Sequence, residues 1–242
     1  MKWEFTPDEF IHLWQETGQD RYPPPLRLRS STRWRDDHAR LTATLNTRFP
    51  TGADPDLTAA LRVSSNPDTT LTLTGIRNHP LRTYAALTNG VAVTLVQRPS
   101  PRPEIGGNVI IEAGAPPLIP SVFTAVMGAA QPGTIQSAVT PAPSTAKPTH
   151  VTPARRSITD TRTPDLARIL RLAHTRPSAR GDIAVHRNLR TDRPAPPRYL
   201  HWFDIANDGR YTVHHRDGDL HIAPCSPDTL RRHIIQLLGA DS

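Results

Sequence analysis

The fold is decided by residues 198–238, which read RYLHWFDIANDGRYTVHHRDGDLHIAPCSPDTLRRHIIQLL. Apolar and polar residues alternate in three runs, which are separated by the turn signals Asn207-Asp208-Gly209 and Asp217-Gly218. A helical spacing of apolar residues follows Ser226-Pro227. The pattern predicts three antiparallel strands and a helix, a unit typical of packing and binding rather than of catalysis.

The two turns fix the predicted register of these strands. Asp217-Gly218 is a two-residue loop that needs positive φ. It predicts three cross-strand pairs: Arg216 with Asp219, His214 with His221, and Val213 with Ile222. The earlier turn is predicted as a three-residue loop with Gly209 left-handed. It predicts two further pairs, Ile205 with Tyr211 and Phe203 with Val213.

This register divides the side chains between two sheet faces. One face is apolar and predicted to be buried: Phe203, Ile205, Tyr211, Val213, Leu220 and Ile222. The other face carries Trp202, Asp204, Thr212, His214 and His221. The helix is predicted to cover the first face with its apolar stripe, Leu230, Ile234, Leu237 and Leu238, before Gly239 ends it.

The N-terminal half shows a similar order of elements. Thr6 to Glu9 has the pattern of a capping box at the start of a helix, flanked by Phe5 and Phe10 as a hydrophobic staple. Helices are predicted about 35–48, 55–63 and 120–129. Strands are predicted over 70–74, 82–87, 91–96 and 108–112, with Asn89-Gly90 as a type I′ hairpin turn.

A segment rich in Pro, Thr, Ala and Ser joins the halves. Residues 131–163 are predicted as an extended, mobile linker. A helix beginning at Thr163-Pro164-Asp165 is predicted next, followed by a strand over 182–187. Its inward residues would be Leu166, Ile169, Leu170 and Ala173. The predicted organisation is an N-terminal α+β half (1–130), a linker (131–163) and a C-terminal α+β half (164–242), together one α+β domain of two similar halves.

Composition narrows the possible functions. No apolar run approaches a membrane span, no signal segment opens the chain, and one cysteine excludes an internal disulfide, so a cytoplasmic location is expected. The net charge is +7, yet the 29 basic residues are scattered, and all but Lys2 and Lys147 are Arg. Without a basic block or an aromatic RNA-binding pattern, nucleic-acid binding is a minor alternative.

Two groups of residues leave a metal site or a catalytic cysteine open as an alternative. His214, His221 and Asp204 share a predicted sheet face and are a conceivable metal set. Cys225 precedes a helix N-terminus and has His201, His215 and His221 within possible reach. The competing interpretations are a polar sheet surface and a packed thiol. Since no catalytic or metal motif supports either group, the expectation is no enzyme, no metal and no cofactor.

The chain resembles the ESX (type VII) secretion-associated EspG family, the cytosolic chaperones of mycobacteria and related actinobacteria. The resemblance rests on two groups of residues, one at each end of the chain. These are Phe5-Thr6, Phe10, Leu13-Trp14 and the Tyr-Pro-Pro-Pro-Leu of residues 22–26, and then residues 202–205, 208–211 and 222–224. It implies a pseudo-twofold α+β fold that binds the helical tip of a PPE protein in a PE–PPE pair, keeps the pair soluble and delivers it to the secretion machinery.

The resemblance also implies where the partner binds. The loop between the second and third predicted strands is Thr88, Asn89 and Gly90, and the helical bundle would use helices 166–173 and 230–238. Arg168, Arg171, Arg231 and Arg232 are predicted to surround the apolar surface, with solvated helix faces as the alternative interpretation. A general interaction domain unrelated to secretion remains the second hypothesis.

Overall fold

The computed structural model describes residues 1–102, 104–141, 171–172, 174–216 and 219–239, with backbone alone at 140–141 and 215–216. In this part of the chain, ten strands form one sheet: β1 (Lys2–Phe5), β2 (Thr69–Arg77), β3 (His79–Thr88), β4 (Val91–Gln97), β5 (Val109–Gly114), β6 (Ala138–Pro141), β7 (Ala179–His186), β8 (Arg198–Ile205), β9 (Gly209–Arg216) and β10 (Asp219–Pro224). The described α-helices are α1 (Pro7–Trp14), α2 (Arg35–Arg48), α3 (Pro55–Ser65), α4 (Leu118–Met127) and α5 (Pro227–Leu238).

The sheet is antiparallel and continuous, in the order β1-β5-β4-β3-β2-β7-β8-β9-β10-β6. The two predicted meanders meet at its centre, where β2 pairs with β7 from Thr70 opposite His186 to Arg77 opposite Ala179. The α+β class is confirmed. The pseudo-twofold relation and the domain boundaries stay predictions.

Helices cover both faces of the sheet. On the face named the α4/α5 face, Phe123 and Ile234 share a buried cluster with Leu73, Ile183 and Leu200 of the central strands. On the opposite face, named the α1/α3 face, Phe10 and Leu61 belong to a second cluster built on β1, β3, β4 and β5. Neighbouring strand residues point to opposite faces, so each strand contributes to the packing on both sides.

Local signals correctly predicted several elements. Thr6 caps α1, with the Glu9 amide donating to Thr6 Oγ1 and the Glu9 carboxylate accepting from the Thr6 amide, which completes the capping box. The last hairpin has the predicted register, with His214 opposite His221 and Val213 opposite Ile222.

The predicted register of the preceding hairpin was wrong by two residues. Phe203 lies opposite Tyr211 and Ile205 opposite Gly209, so the loop is residues 206–208. Its left-handed residue is Asn207, with φ of 61°, rather than Gly209. Asn accepts this conformation more readily than most residues with a Cβ. Because the shift is an even number of residues, every side chain keeps its face.

The prediction of which face α5 covers was also wrong. Trp202, Asp204 and Thr212 are 1%, 4% and 0% exposed, and Trp202 lies in one cluster with Leu230 and Ile234 of α5. The residues predicted to lie under α5 pack instead on a smaller cluster that includes Leu172, and four of them are partly buried: Phe203, Ile205, Val213 and Leu220. Alternation separates two faces but does not say which one a distant helix covers.

Part of the predicted linker belongs to the sheet. β6 pairs with β10, with Ala138 opposite Ile222, so residues 138–141 are not the mobile connection that was expected. Residues 142–163 lie outside the described part of the chain. The helix predicted from Thr163 also lies outside it, apart from 171–172 and 174. Among the described residues, no helix has the length and apolar character needed to cross a bilayer.

Candidate partner-binding surface

The β3–β4 hairpin presents the loop predicted to contact a partner. Asn89 and Gly90 have φ of 50° and 77°, as a type I′ turn requires. Both are exposed, and the adjacent Val91 is 44% exposed. The β3 residues next to the turn are held by the Asp68 amide, which donates to Leu87 O and to Thr88 Oγ1, each at 3.1 Å. The tip is therefore exposed and also fixed in position.

Two helix ends lie at the same end of the sheet as this tip. β5 ends at Gly114, opposite Ala92, and the chain then enters α4 at Leu118. The C-terminal end of α5 reaches this end as well, where the Arg198 guanidinium donates to Gln236 O at 3.1 Å. Leu87, Leu118 and Leu238 are partly buried here and extend the core cluster outward. We call this surface the hairpin end, defined as residues 87–91, Leu118 and Leu238.

The structure separates the other predicted contact residues from this surface. Arg231 lies in the first half of α5, 3.9 Å from Asp228, and Arg232 donates to Thr229 Oγ1 at 3.2 Å. Arg171 is exposed next to Leu172, which packs on the sheet face opposite α5. Arg168 lies outside the described residues. Thr88, Asn89 and Gly90 are thus brought together, whereas Arg171 is not placed on one surface with Arg231 and Arg232.

The possible metal set does not converge. The carboxylate of Asp204 accepts from Arg210 Nε at 2.7 Å and Nη2 at 2.9 Å, and from Arg77. His214 contacts the ring of His233 at 4.6 Å between centroids, and burial lowers the pKa of His214 to about 4, with nearby histidines adding to the shift. In the described part of the chain, no three His, Cys, Asp or Glu side chains form a group that could hold a metal ion.

Cys225 is a buried thiol in the α4/α5 cluster. Its side chain is 0% exposed, and burial raises its pKa to about 11. The thiolate, which is the nucleophilic form, is therefore disfavoured near neutral pH. The interpretation of Cys225 as a packed residue fits this environment better than a catalytic one.

Asp204 and Arg210 form the centre of a buried charged cluster that sequence reasoning did not identify. Arg210 is 1% exposed, donates to Met127 O at 2.9 Å and lies 5.0 Å from the Trp202 ring. Together with Arg77, these charges connect β2, β8, β9 and the C-terminal end of α4. We name this group the Arg77–Asp204–Arg210 cluster.

The neighbouring residues 208–211 attach the segment after α4 to the sheet. Asp208 accepts from the Tyr211 hydroxyl at 2.6 Å and from the Thr134 amide at 2.8 Å. The Arg210 amide donates to Gln131 O at 2.7 Å. A Cβ at Gly209 would lie 2.5 Å from the same oxygen, so only glycine fits there. The residues that carry the family resemblance here hold the fold together, and they are not exposed for a partner.

These observations can be compared with known proteins. A sequence model of the EspG family matches residues 6–236. The chain belongs to the EspG family. Its fold is similar to that of the Mycobacterium tuberculosis type VII secretion system chaperone EspG5 in complex with a PE25–PPE41 dimer, with a TM-score of 0.65 and 14% identity over 98% of this chain and 96% of that chain. No curated protein sequence matches the chain. The sequence-based assignment to the EspG family is confirmed.

Proposed function

We propose that this EspG-family protein is a cytoplasmic chaperone that binds the helical end of a PPE-type protein in a PE–PPE pair. It keeps the pair soluble and delivers it to type VII (ESX) secretion. The EspG-family match over residues 6–236 and the fold shared with a chaperone solved together with a PE–PPE dimer support this role. The proposed activity is binding and not catalysis.

The observation that carries the proposal is the hairpin end. A chaperone for an apolar helix tip needs a surface that is formed before binding and is apolar with a polar margin. The type I′ tip at Asn89-Gly90 is fixed by the β3–β4 ladder. Leu87 and Leu118 offer apolar contact on the α4/α5 face beside it, and Val91 is an exposed aliphatic side chain at the tip itself. The ends of α4 and α5 supply helical walls, which suits a partner that presents helices.

Co-expression with PE–PPE pairs encoded by the same genome tests the proposal. At least one pair is expected to become more soluble and to co-purify with the chain. Val91→Asp places a charge in the hairpin end, and the amount of co-purified pair is expected to fall by about tenfold or more, as at an interface hot spot. Ile76→Asp is the matched control, since Ile76 is also an exposed aliphatic strand residue at 51% exposure but lies at the other end of β2 and β3.

Two results would contradict the proposal. One is that no PE–PPE pair gains solubility or co-purifies. The other is that Ile76→Asp reduces co-purification as much as Val91→Asp, which would show a general effect of charge rather than contact at the hairpin end. Melting temperatures of both variants would establish that each remains folded.

A further inference from the structure

A concave surface lies at the end of the sheet opposite the hairpin end. It is formed by residues 29–33 and by the loop between β4 and β5, and it encloses about 540 Å³. Three arginines and three serines contribute to its lining: Arg29, Arg33, Arg102, Ser30, Ser31 and Ser100. We call it the basic cleft. β4 runs from the hairpin tip at Val91 to Gln97, which separates the two surfaces by the length of the strand.

The two walls of the basic cleft are joined by hydrogen bonds. Gln97 Oε1 accepts from the Arg27 amide at 2.8 Å, and Gln97 Nε2 donates to Arg27 O at 3.0 Å. The Gly106 amide donates to the same carbonyl at 2.8 Å. A Cβ at Gly106 would lie within 1.8 Å of the Gln97 side chain, so glycine is required for this contact. The cleft is therefore a formed feature of the fold.

The charges in the basic cleft are not balanced. Within the described ranges, no ion pair or side-chain hydrogen bond engages the guanidinium groups of Arg29, Arg33 or Arg102. The nearby Arg98 differs, since it donates to both carboxylate oxygens of Glu4 at 2.9 and 3.2 Å. Asp8 borders the cleft, but one of its carboxylate oxygens accepts from the Ser31 amide at 3.0 Å. Glu104 lies next to Ile105 in the same loop, so the cleft has three arginines against two nearby acidic residues and keeps a net positive charge for an external anion.

The backbone around the cleft indicates which anion fits. A site for a single phosphate usually directs several free amides at one point. Here the Gly106 and Gly107 amides donate to Arg27 O and Arg98 O, and the Arg102 amide donates to Ser100 Oγ. Ser30 Oγ and Ser100 Oγ are engaged by Thr32 and by the Arg102 backbone, so what is left are separate guanidinium groups spread along the cleft. That arrangement suits several carboxylates along an extended chain, each taken by a planar guanidinium.

An exposed aromatic residue adjoins these charges. Trp34 follows Arg33 in the chain, directly precedes α2 and is 74% exposed. Tryptophan and arginine are the residues most enriched at the energetic centres of protein interfaces. We propose that the basic cleft binds an acidic peptide segment of a second protein partner, with Trp34 as an apolar anchor. A client at the hairpin end and this second partner would then bind opposite ends of the chaperone at the same time.

Fluorescence anisotropy of a labelled poly-glutamate peptide with the full chain tests the proposal. The triple variant Arg29→Ala, Arg33→Ala, Arg102→Ala is expected to weaken binding by about tenfold or more, since charge-assisted hydrogen bonds are lost. The matched control Arg21→Ala, Arg176→Ala, Arg193→Ala removes the same charge elsewhere and is expected to change binding by less than about twofold. Trp34→Ala is expected to weaken binding by about fivefold without changing charge.

The outcomes separate this proposal from its rivals and from the proposed client binding. Equal losses in the two triple variants would overturn it, because binding would then follow net charge alone. Displacement of the peptide by inorganic phosphate, added at the same total negative charge as the peptide, would overturn it in favour of a small oxyanion site. Tighter, Trp34-dependent binding of a single-stranded oligonucleotide would overturn it in favour of a nucleic-acid interface. The cleft variant is expected to retain co-purification of a PE–PPE pair, so the two proposals can fail independently.

Discussion

Replacing Asp204 with Asn removes one charge from the Arg77–Asp204–Arg210 cluster while keeping the shape of the side chain. Asp204 and Arg210 are 4% and 1% exposed, and the carboxylate accepts two bonds from Arg210, at 2.7 and 2.9 Å. An Asn amide offers one oxygen instead of two. Its NH₂ group would face a guanidinium that only donates. Arg210 would therefore remain charged and buried without a counter-charge.

The expected loss can be worked out from these contacts. Removing one partner of a buried ion pair costs about 3–5 kcal/mol, because the other charge stays buried and uncompensated. Arg210 would keep its bond to Met127 O at 2.9 Å and its contact with the Trp202 ring, so the lower end of this range applies. At about 2–4 °C per kcal/mol for a chain of this size, a loss of about 3 kcal/mol lowers the melting temperature by about 6–12 °C.

Thermal unfolding measured by circular dichroism checks this, with Asp182→Asn as the control. Asp182 pairs with His201, but their side chains are 54% and 41% exposed. Such a pair contributes about 0–1 kcal/mol, so the control should lower the melting temperature by less than about 4 °C. The double variant Asp204→Leu, Arg210→Met should recover most of the loss, since the one charge that loses its partner, Arg77, has a side chain that is 29% exposed and can reach water. The reasoning is refuted if Asp204→Asn behaves like the control or if the double variant is no more stable than the single.

Three further perturbations follow from the structure. Burial lowers the pKa of His214 to about 4, below its unfolded value of 6.5. The unfolded chain therefore binds a proton at His214 before the folded chain does. The contribution of neutral His214 to stability is complete above about pH 6.5 and is lost as the pH falls towards 4. The melting temperature of His214→Gln should therefore fall less between pH 7 and pH 4.5 than that of the wild type, and equal falls would contradict this. Burial raises the pKa of Cys225 to about 11, so a thiol reagent at pH 8 should label the native chain far more slowly than the urea-unfolded chain; rapid native labelling would contradict the buried site. Gly209→Ala places a Cβ 2.5 Å from Gln131 O and should cost about 1–3 kcal/mol in urea denaturation. Gly114→Ala, whose Cβ would meet Leu118 at an ordinary 3.7 Å, should be nearly neutral, and equal effects of the two changes would reject the steric argument.

Elements fixed by adjacent residues were predictable from the sequence. The capping box of α1 and the Asn89-Gly90 turn depend on side chains and φ values within four residues of each other. The register of the last hairpin follows from its two-residue loop in the same way. The register of the β8–β9 hairpin was not fixed by its turn sequence. Both Asn207 and Gly209 tolerate the left-handed conformation, and placing it at one or the other moves the predicted strand pairing by two residues.

Features that depend on distant contacts were not predictable. Alternation in β8 identified Trp202 and Phe203 as lying on opposite faces, but which of them meets α5 depends on how residues 225–226 direct the chain after β10. Asp204 was placed on a polar sheet face because its compensation by Arg210 appears only when β8 and β9 pair. The candidate site also has a predictable and an unpredictable part. The tip at 88–90 is a local turn and was predictable, whereas the positions of Arg171 and Arg231 depend on which sheet face their neighbours pack against.

The motifs that identified the family therefore report on the scaffold and not on the client. Trp202, Asp204, Gly209, Arg210 and Tyr211 are used in the core, in the charged cluster or in attaching residues 131–135. At 14% identity to a chaperone of the same fold, most positions differ, so a contact residue cannot be transferred by position even though the fold is shared. Under the proposed function, client choice should be encoded at exposed positions such as Val91. A substitution there should change which partner binds and leave the melting temperature unchanged, whereas a substitution in the buried motif should change both through stability.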